Sequence, residues 1–239
     1  MAARACANMG CPRLCLVAPE RWELEKARPL APPKGLPVLE SLRVAPSLAE
    51  AVGASGLVVG TTARLGGWRK SVLTADQAGD VVAGAVRGGV RVSLVFGSED
   101  RGLSNEELLF CQRLATIPTA GEASSLNLAQ AVLILLYECA RALRSGGASA
   151  PDSECAGDTT RDSRGAHGIS AAEQERLMEA FKAMLLTLDV LHGDNPDYFL
   201  LPWRRLFGRA QLSRHEYDAL MGLCRQVRNK LGPKGPGAA

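Results

Sequence analysis

The chain has 239 residues, of which 46% are hydrophobic and 22% charged, and 28 basic against 25 acidic residues leave a net charge of +3. That length suits one or two domains, and so much apolar surface excludes a disordered chain. No apolar run reaches the ~20 residues that cross a bilayer and no signal-type segment opens the chain, so a cytosolic location is expected. The near-balanced charge does not exclude a nucleic-acid binder, but the 5% aromatic content is too sparse for a surface that stacks bases in series; any RNA contact would work through phosphates and shape.

Seven cysteines, Cys6, Cys11, Cys15, Cys111, Cys139, Cys155 and Cys224, form no CxxC pair and are odd in number. They read as reduced thiols, not as a disulfide framework, and no metal site is expected.

In chain order, residues 13–18, 56–60, 90–96 and 114–117 are short and continuously apolar, the pattern of strands covered on both faces of a parallel sheet. Helices between them start at Ser47 and Ser104, each followed three residues later by a glutamate in the capping-box spacing. Residues 126–143 predict a long helix with more apolar surface than one face against a sheet uses, which suggests a contact with a second chain.

Composition then changes sharply. Residues 145–168, rich in Gly, Ser, Asp and Ala, predict a flexible linker. Everything beyond it predicts helices: one from Ser170 to about residue 192, a short basic one over 201–210, and one opened by Ser213 that ends before Gly232. Three helices in about sixty residues make a marginal bundle, so docking or dimer contacts are expected. The expected organisation is an α/β domain at 1–144, a linker at 145–169 and a helical extension at 170–239.

Two segments carry the chemistry. Phe96-Gly97-Ser98-Glu99-Asp100-Arg101-Gly102-Leu103-Ser104 is a glycine-bearing turn between a strand and a capped helix, where α/β proteins put ligands. Leu103 stands where a phosphate loop needs lysine, so a nucleoside triphosphate is not expected. The second segment is Ile117-Pro118-Thr119-Ala120-Gly121-Glu122-Ala123-Ser124-Ser125-Leu126-Asn127, a small-residue loop entering the long helix. Asn127, if buried there, needs a hydrogen-bond partner, and its amide could brace the loop; capping by Ser124 or Ser125 is the plainer alternative.

FGSEDRGLSNEELLFC followed by IPTAGEASSLNLAQAV closely resembles motifs two and three of the SPOUT methyltransferases, in the TrmH branch and nearest its tRNA (cytidine/uridine-2′-O-)-methyltransferases. Arg4-Ala-Cys-Ala-Asn8-Met9-Gly10 is similar to the end of motif one, and Gly60-Thr61-Thr62-Ala63-Arg64 to the first cofactor loop.

The resemblance implies an α/β parallel-sheet fold with a trefoil knot, a small all-α extension, and a homodimer with sites at the interface. It further implies S-adenosylmethionine as cofactor and tRNA as partner, with 2′-O-methylation in the anticodon loop at nucleotide 32. By position, Thr61, Thr62, Ala63, Gly97, Ile117, Ser124, Ser125 and Leu126 should line the cofactor pocket, with Glu99 and Asn127 supporting the loops. Arg4 and Ser125 are the expected catalytic residues. Arg64, Arg101, Arg204, Arg205 and Arg209 are the expected RNA contacts, and Arg225, Arg228 and Lys230 form a second basic group. For these helical arginines an ordinary solvated face stays open on charge alone. His167, His192 and His215 receive no role.

The family begins with a strand and a Gly-Asn turn before the motif-one arginine, and Arg4 lies only three residues from Met1. The first strand is therefore expected to be missing and solubility to suffer. Gly66-Gly67 stand where relatives carry basic residues. The rival functions are ribosomal RNA methylation by the same chemistry, and RNA binding without catalysis.

Overall fold

The structure, a computed structural model, describes residues 1–63, 72–120, 126–145, 168–191 and 196–231. The 145–169 linker falls almost wholly outside them.

Ten α-helices and six strands are described. Helix α1 (Ala2–Asn8) leads into β1 (Cys15–Val17), short helices α2 (Leu24–Ala27) and α3 (Leu36–Glu40), β2 (Arg43–Ala45) and α4 (Leu48–Val52). Then come β3 (Leu57–Thr61), β4 (Val72–Thr74), α5 (Ala75–Arg87), β5 (Val92–Val95), α6 (Asn105–Leu108), β6 (Arg113–Thr116) and α7 (Leu128–Ser145). The C-terminal region is α8 (Ala171–Thr187), α9 (Pro196–Ala210) and α10 (Arg214–Leu231).

The four expected strands correspond to β1, β3, β5 and β6; β2 and β4 are additional. All pairings are parallel, in two separate sheets: β1 with β2, and four strands in the order β4-β6-β3-β5. Strand β3 is flanked on both sides, and its Leu57, Val58 and Val59 are at most 1% exposed. Its unbroken apolar run follows from that central place, since neither face meets water.

Helices α5 and α7 cover one face of the larger sheet, with Ala78, Val82, Leu135 and Cys139 packed on Leu57 and Val59. The other face meets α4 and α6 through Leu48, Val52, Leu103 and Leu108 around Val58 and Val95. Helix α1 packs Ala3, Ala5 and Cys6 against Val132 and Leu136 of α7, beside Phe96 and Leu128. Helix α7 buries Val132, Leu135, Leu136 and Cys139, yet Leu133 and Tyr137, one turn apart, are 40% and 47% exposed.

The C-terminal helices surround Leu177, Met178, Phe181, Leu200, Phe207, Tyr217 and Cys224. Ser170 opens α8 by accepting from the Glu173 amide at 3.3 Å, as its capping-box spacing predicts. The bundle docks on the α/β part. The amides of Ala171 and Ala172 donate to the carbonyls of Ser55 (2.7 Å) and Gly53 (3.1 Å), and Ala171 is buried among α4 and β3 residues. The Arg113 guanidinium donates to the carbonyls of Gly208 (3.2 Å) and Arg209 (3.5 Å), capping the end of α9. Burial lowers the Arg113 pKa, with the nearby Arg209 adding to the shift. Gln112 accepts from the Val58 amide at 2.6 Å and donates to Gln174 at 3.1 Å, so one side chain links sheet to bundle.

Candidate functional site

The C-terminal ends of β3, β5 and β6, the loop after β5 and the start of α7 line a cavity of about 290 Å³. Side-chain and backbone bonds hold the ends together. The Thr61 hydroxyl donates to the Val95 carbonyl at 3.1 Å, tying β3 to β5, and the Thr62 amide donates to the Ala115 carbonyl at 2.9 Å, tying it to β6.

The loop after β5 doubles back on itself. The Gly102 amide donates to the Ser98 carbonyl at 2.9 Å, and Gly102 turns the chain with φ +68°. At Gly97 a Cβ would lie 2.0 Å from the Gly102 carbonyl carbon and 2.2 Å from the Leu103 nitrogen. Only glycine fits where two backbone stretches approach so closely. Ser104 then caps α6: it accepts from the Glu107 amide at 3.1 Å, and the Glu107 carboxylate takes the Ser104 amide at 2.7 Å. Cys111, just beyond α6, has its thiol pushed up to about 12 by burial and then by Glu107, so it stays neutral and structural.

Of the expected pocket residues, Thr61, Thr62, Ala63, Gly97, Ile117 and Leu126 line this cavity, as do Glu99 and Arg101. Ser124, Ser125 and Arg64 lie outside the described residues. Sequence reasoning missed Ala115 on β6 and Leu128, Ala131 and Leu135 on α7, which complete the wall. Small and aliphatic residues on a strand and a helix carry no signal that separates a pocket wall from ordinary core.

Asn127 is exposed, and the loop it was expected to brace lies largely outside the described residues. Its side-chain oxygen accepts from the Ala129 amide at 3.0 Å while Gln130 takes the Asn127 amide at 3.3 Å. It is the N-cap of α7, a position whose orphan amides favour a short polar side chain. The two serines considered for that role precede it.

Arg4 is exposed on α1 and is not among the residues lining the cavity. The helical arginines do not form one free face. Arg204 makes a bidentate ion pair with Glu175 of α8, both partly buried. Arg205 is partly buried, and Arg209 is exposed. Arg225, Arg228 and Lys230 are exposed on α10. Among the described residues no group of three His, Cys, Asp or Glu could hold a metal ion, and no helix is long and apolar enough to cross a membrane.

Comparison with known proteins gives a consistent picture. The profile of the SpoU rRNA Methylase family matches residues 1–137. The chain is 32% identical over 223 residues to the tRNA (cytidine/uridine/adenosine-2′-O-)-methyltransferase TrmJ of Pseudomonas aeruginosa, covering 93% of this chain and 85% of the relative. It is 31% identical over 235 residues to the tRNA (cytidine/uridine-2′-O-)-methyltransferase TrmJ of Sodalis glossinidius, covering 98% and 88%. Among solved structures, TrmJ of Z. mobilis superimposes with a TM-score of 0.75 at 28% identity, over 95% of this chain and 92% of that one.

Proposed function

The chain belongs to the SpoU rRNA methylase family, and from that premise we propose that it methylates tRNA. The reaction is transfer from S-adenosylmethionine to a ribose 2′-hydroxyl in the anticodon loop, at the cytidine or uridine of position 32. The observation that carries this reading is the cavity at the strand ends, walled by the same loops that bear the family resemblance. The tRNA assignment draws on the named relatives.

The residues present suit that cofactor. Phe96, Leu103, Ile117 and Leu135 offer apolar walls to a purine, and the carboxylates of Glu99 and Asp100 favour a cationic ligand. Thr61, Thr62, Ala63, Gly97, Ile117 and Leu126 would hold it, with Ser124 and Ser125 in the adjoining loop. When bound, S-adenosylmethionine supplies a sulfonium methyl group open to in-line attack by oxygen. Holding the cofactor and the ribose side by side in this cavity would align the two reactants and convert a bimolecular encounter into a positioned one.

The ribose hydroxyl attacks only as its proton leaves. A guanidinium does not accept that proton, because its pKa is above ~12. Arg4 instead stabilises the developing alkoxide, or holds the adjacent phosphate that takes the proton. Since Arg4 does not line the cavity of its own chain, we assign it to the site of a partner protomer in a homodimer. The exposed Leu133 and Tyr137 of α7 supply apolar surface for that contact. Arg64, Arg101 and Arg209 are assigned to RNA phosphates; Arg204 is committed to Glu175. Strand β6 lies between β3 and β4, which follow one another in the chain. That order accommodates the trefoil knot that the family resemblance implies, and the knot is assigned on that resemblance.

The test is to incubate the protein with labelled S-adenosylmethionine and unmodified tRNA, then map ribose methylation by nucleotide. Label at position 32 is the expected result. Label on ribosomal RNA alone would overturn the substrate, and no cofactor binding by calorimetry would overturn the enzyme. A mixture of Arg4→Ala and Gly97→Val proteins tests the shared site. Random pairing restores about a quarter of wild-type activity if Arg4 acts across the dimer, and none if it acts within its own chain.

A further inference from the structure

The end of α1 brings two cysteines together by backbone geometry. The helix closes with Gly10 at φ +73°, and the Cys11 amide reaches back to the Cys6 carbonyl at 2.9 Å. This six-to-one bond over a left-handed glycine is a Schellman cap, which sets the side chains of its first and last residues against each other. In most helices that contact is between two aliphatic groups. Here both are thiols: Cys6 is 3% exposed in the α1–α3–α7 cluster, and Cys11 packs against the same cluster while remaining partly open to solvent.

We propose that Cys6 and Cys11 form a reversible dithiol–disulfide site, oxidised by low-molecular-weight disulfides of the glutathione class. Cys11 is the attacking sulfur and Cys6 the resolving one. The Cys11 thiolate displaces one half of the small disulfide, giving a mixed disulfide and one free thiolate. The Cys6 sulfur, giving up its proton, then attacks Cys11 Sγ and releases the second half as a thiol. Two protein thiols lose two electrons and two protons, and the small disulfide is reduced to two thiols.

The division of labour follows from the surroundings. A hydrogen bond from Cys6 lowers the Cys11 pKa, and the Arg13 charge lowers it further against the cost of burial. The same hydrogen bond, then burial, raises Cys6. The thiol that ionises is therefore the one that solvent reaches, the arrangement that makes a cysteine reactive. Three of the other thiols are held back by burial. Cys111 is pushed up to about 12 and Cys139 to about 11, burial being the largest cause in each, and burial also raises Cys224. Cys139 is near enough to feel the Cys11 charge, and Cys15 is partly open to solvent four residues further on, so these two are the alternative partners among the described residues.

The test uses the full-length protein in a glutathione redox buffer, quenched with acid and digested with trypsin. Cleavage after Arg4 and Arg13 isolates both cysteines in one peptide. That peptide is expected to lose two hydrogens, to regain them on reduction, and to be oxidised about tenfold more than the peptides bearing Cys15, Cys111, Cys139 or Cys224. In Cys6→Ala, Cys11 should accumulate as the glutathione adduct, because no resolving thiol remains. A stable glutathione adduct on Cys11 of the unaltered protein, a cross-link to Cys139, or oxidation elsewhere first would each overturn the proposal.

Discussion

The two halves of the molecule hold their parts in place by different means. Around the cavity, position is fixed at main-chain groups: Gly97 lets two stretches of chain approach to where no Cβ fits, and the Thr61 hydroxyl and Thr62 amide fasten strand ends to main-chain carbonyls. In the helical half, position is fixed by charged side chains: Glu175 with Arg204, Glu173 with Arg214, and Arg113 on the end of α9. The close approach at Gly97 leaves no room for any side chain. An ion pair in the bundle tolerates several substitutions, at a graded cost. Substitutions near the cavity should therefore abolish binding outright, whereas those in the bundle should loosen it by degrees.

The largest effect is expected at Gly97. Replacement by valine forces the 97–103 loop open, and overpacking of this kind costs about 1–3 kcal/mol locally. Calorimetry should show S-adenosylmethionine affinity falling by about a hundredfold or more, with the circular dichroism of the bundle unchanged. Retained affinity would mean the loop is not the ligand's cradle. Next is Arg204→Met, which leaves Glu175 partly buried without its partner. Truncating one half of such a pair costs about 1–3 kcal/mol. Urea unfolding should show the lower midpoint, and Glu175→Gln in the same chain should recover much of the loss.

Much of this contrast could be read in advance, though unevenly. Strands β1, β3, β5 and β6 declare themselves as apolar runs, and the capping boxes at Ser47, Ser104, Ser170 and Ser213 mark four helix starts. Strands β2 and β4 are three residues each, too short to show a period. Helix α5, ADQAGDVVAGAVR, is built from alanine, glycine and valine and lacks the large apolar residues that mark a buried stripe. At the site, the glycine turn and the small-residue loop are legible because their composition is unusual. Ala115 and Leu135 are not, since a pocket wall uses the same residues as a core. Charge misleads for Arg204: its partner Glu175 lies 29 residues earlier, and only the α8–α9 packing brings them together.

A smaller effect should separate docking from folding. Arg113→Met removes two charge-assisted bonds to the carbonyls of Gly208 and Arg209 while leaving β6 in its sheet. A net loss of about 1–3 kcal/mol is expected, concentrated at the contact between sheet and bundle. Hydrogen exchange should therefore speed up at Gly208–Ala210 and at the α8 start, and stay slow in β3. Uniform acceleration across both halves would mean that they unfold as one unit.

The smallest effect is one of pH, and its sign follows from the caps. Glu173 and Glu216 each take the amide of the serine that opens their helix, Ser170 at 2.9 Å and Ser213 at 2.7 Å. For Glu173 that amide bond is the first cause of a lowered pKa, with Arg214 assisting; for Glu216 it is again the amide, followed by the serine hydroxyl. A carboxylate whose pKa is lower in the folded state stabilises that state fully above its unfolded value, about 4.3. The stabilisation is lost as pH falls through the lower folded value. The starts of α8 and α10 should therefore fray together below about pH 4, ahead of the sheet, whose buried strands carry no carboxylate. Glu173→Gln keeps an oxygen for the Ser170 amide but cannot titrate, so helix content followed by circular dichroism should depend less on acid in that variant. Unchanged acid sensitivity would assign the loss to other carboxylates and remove the caps from the explanation.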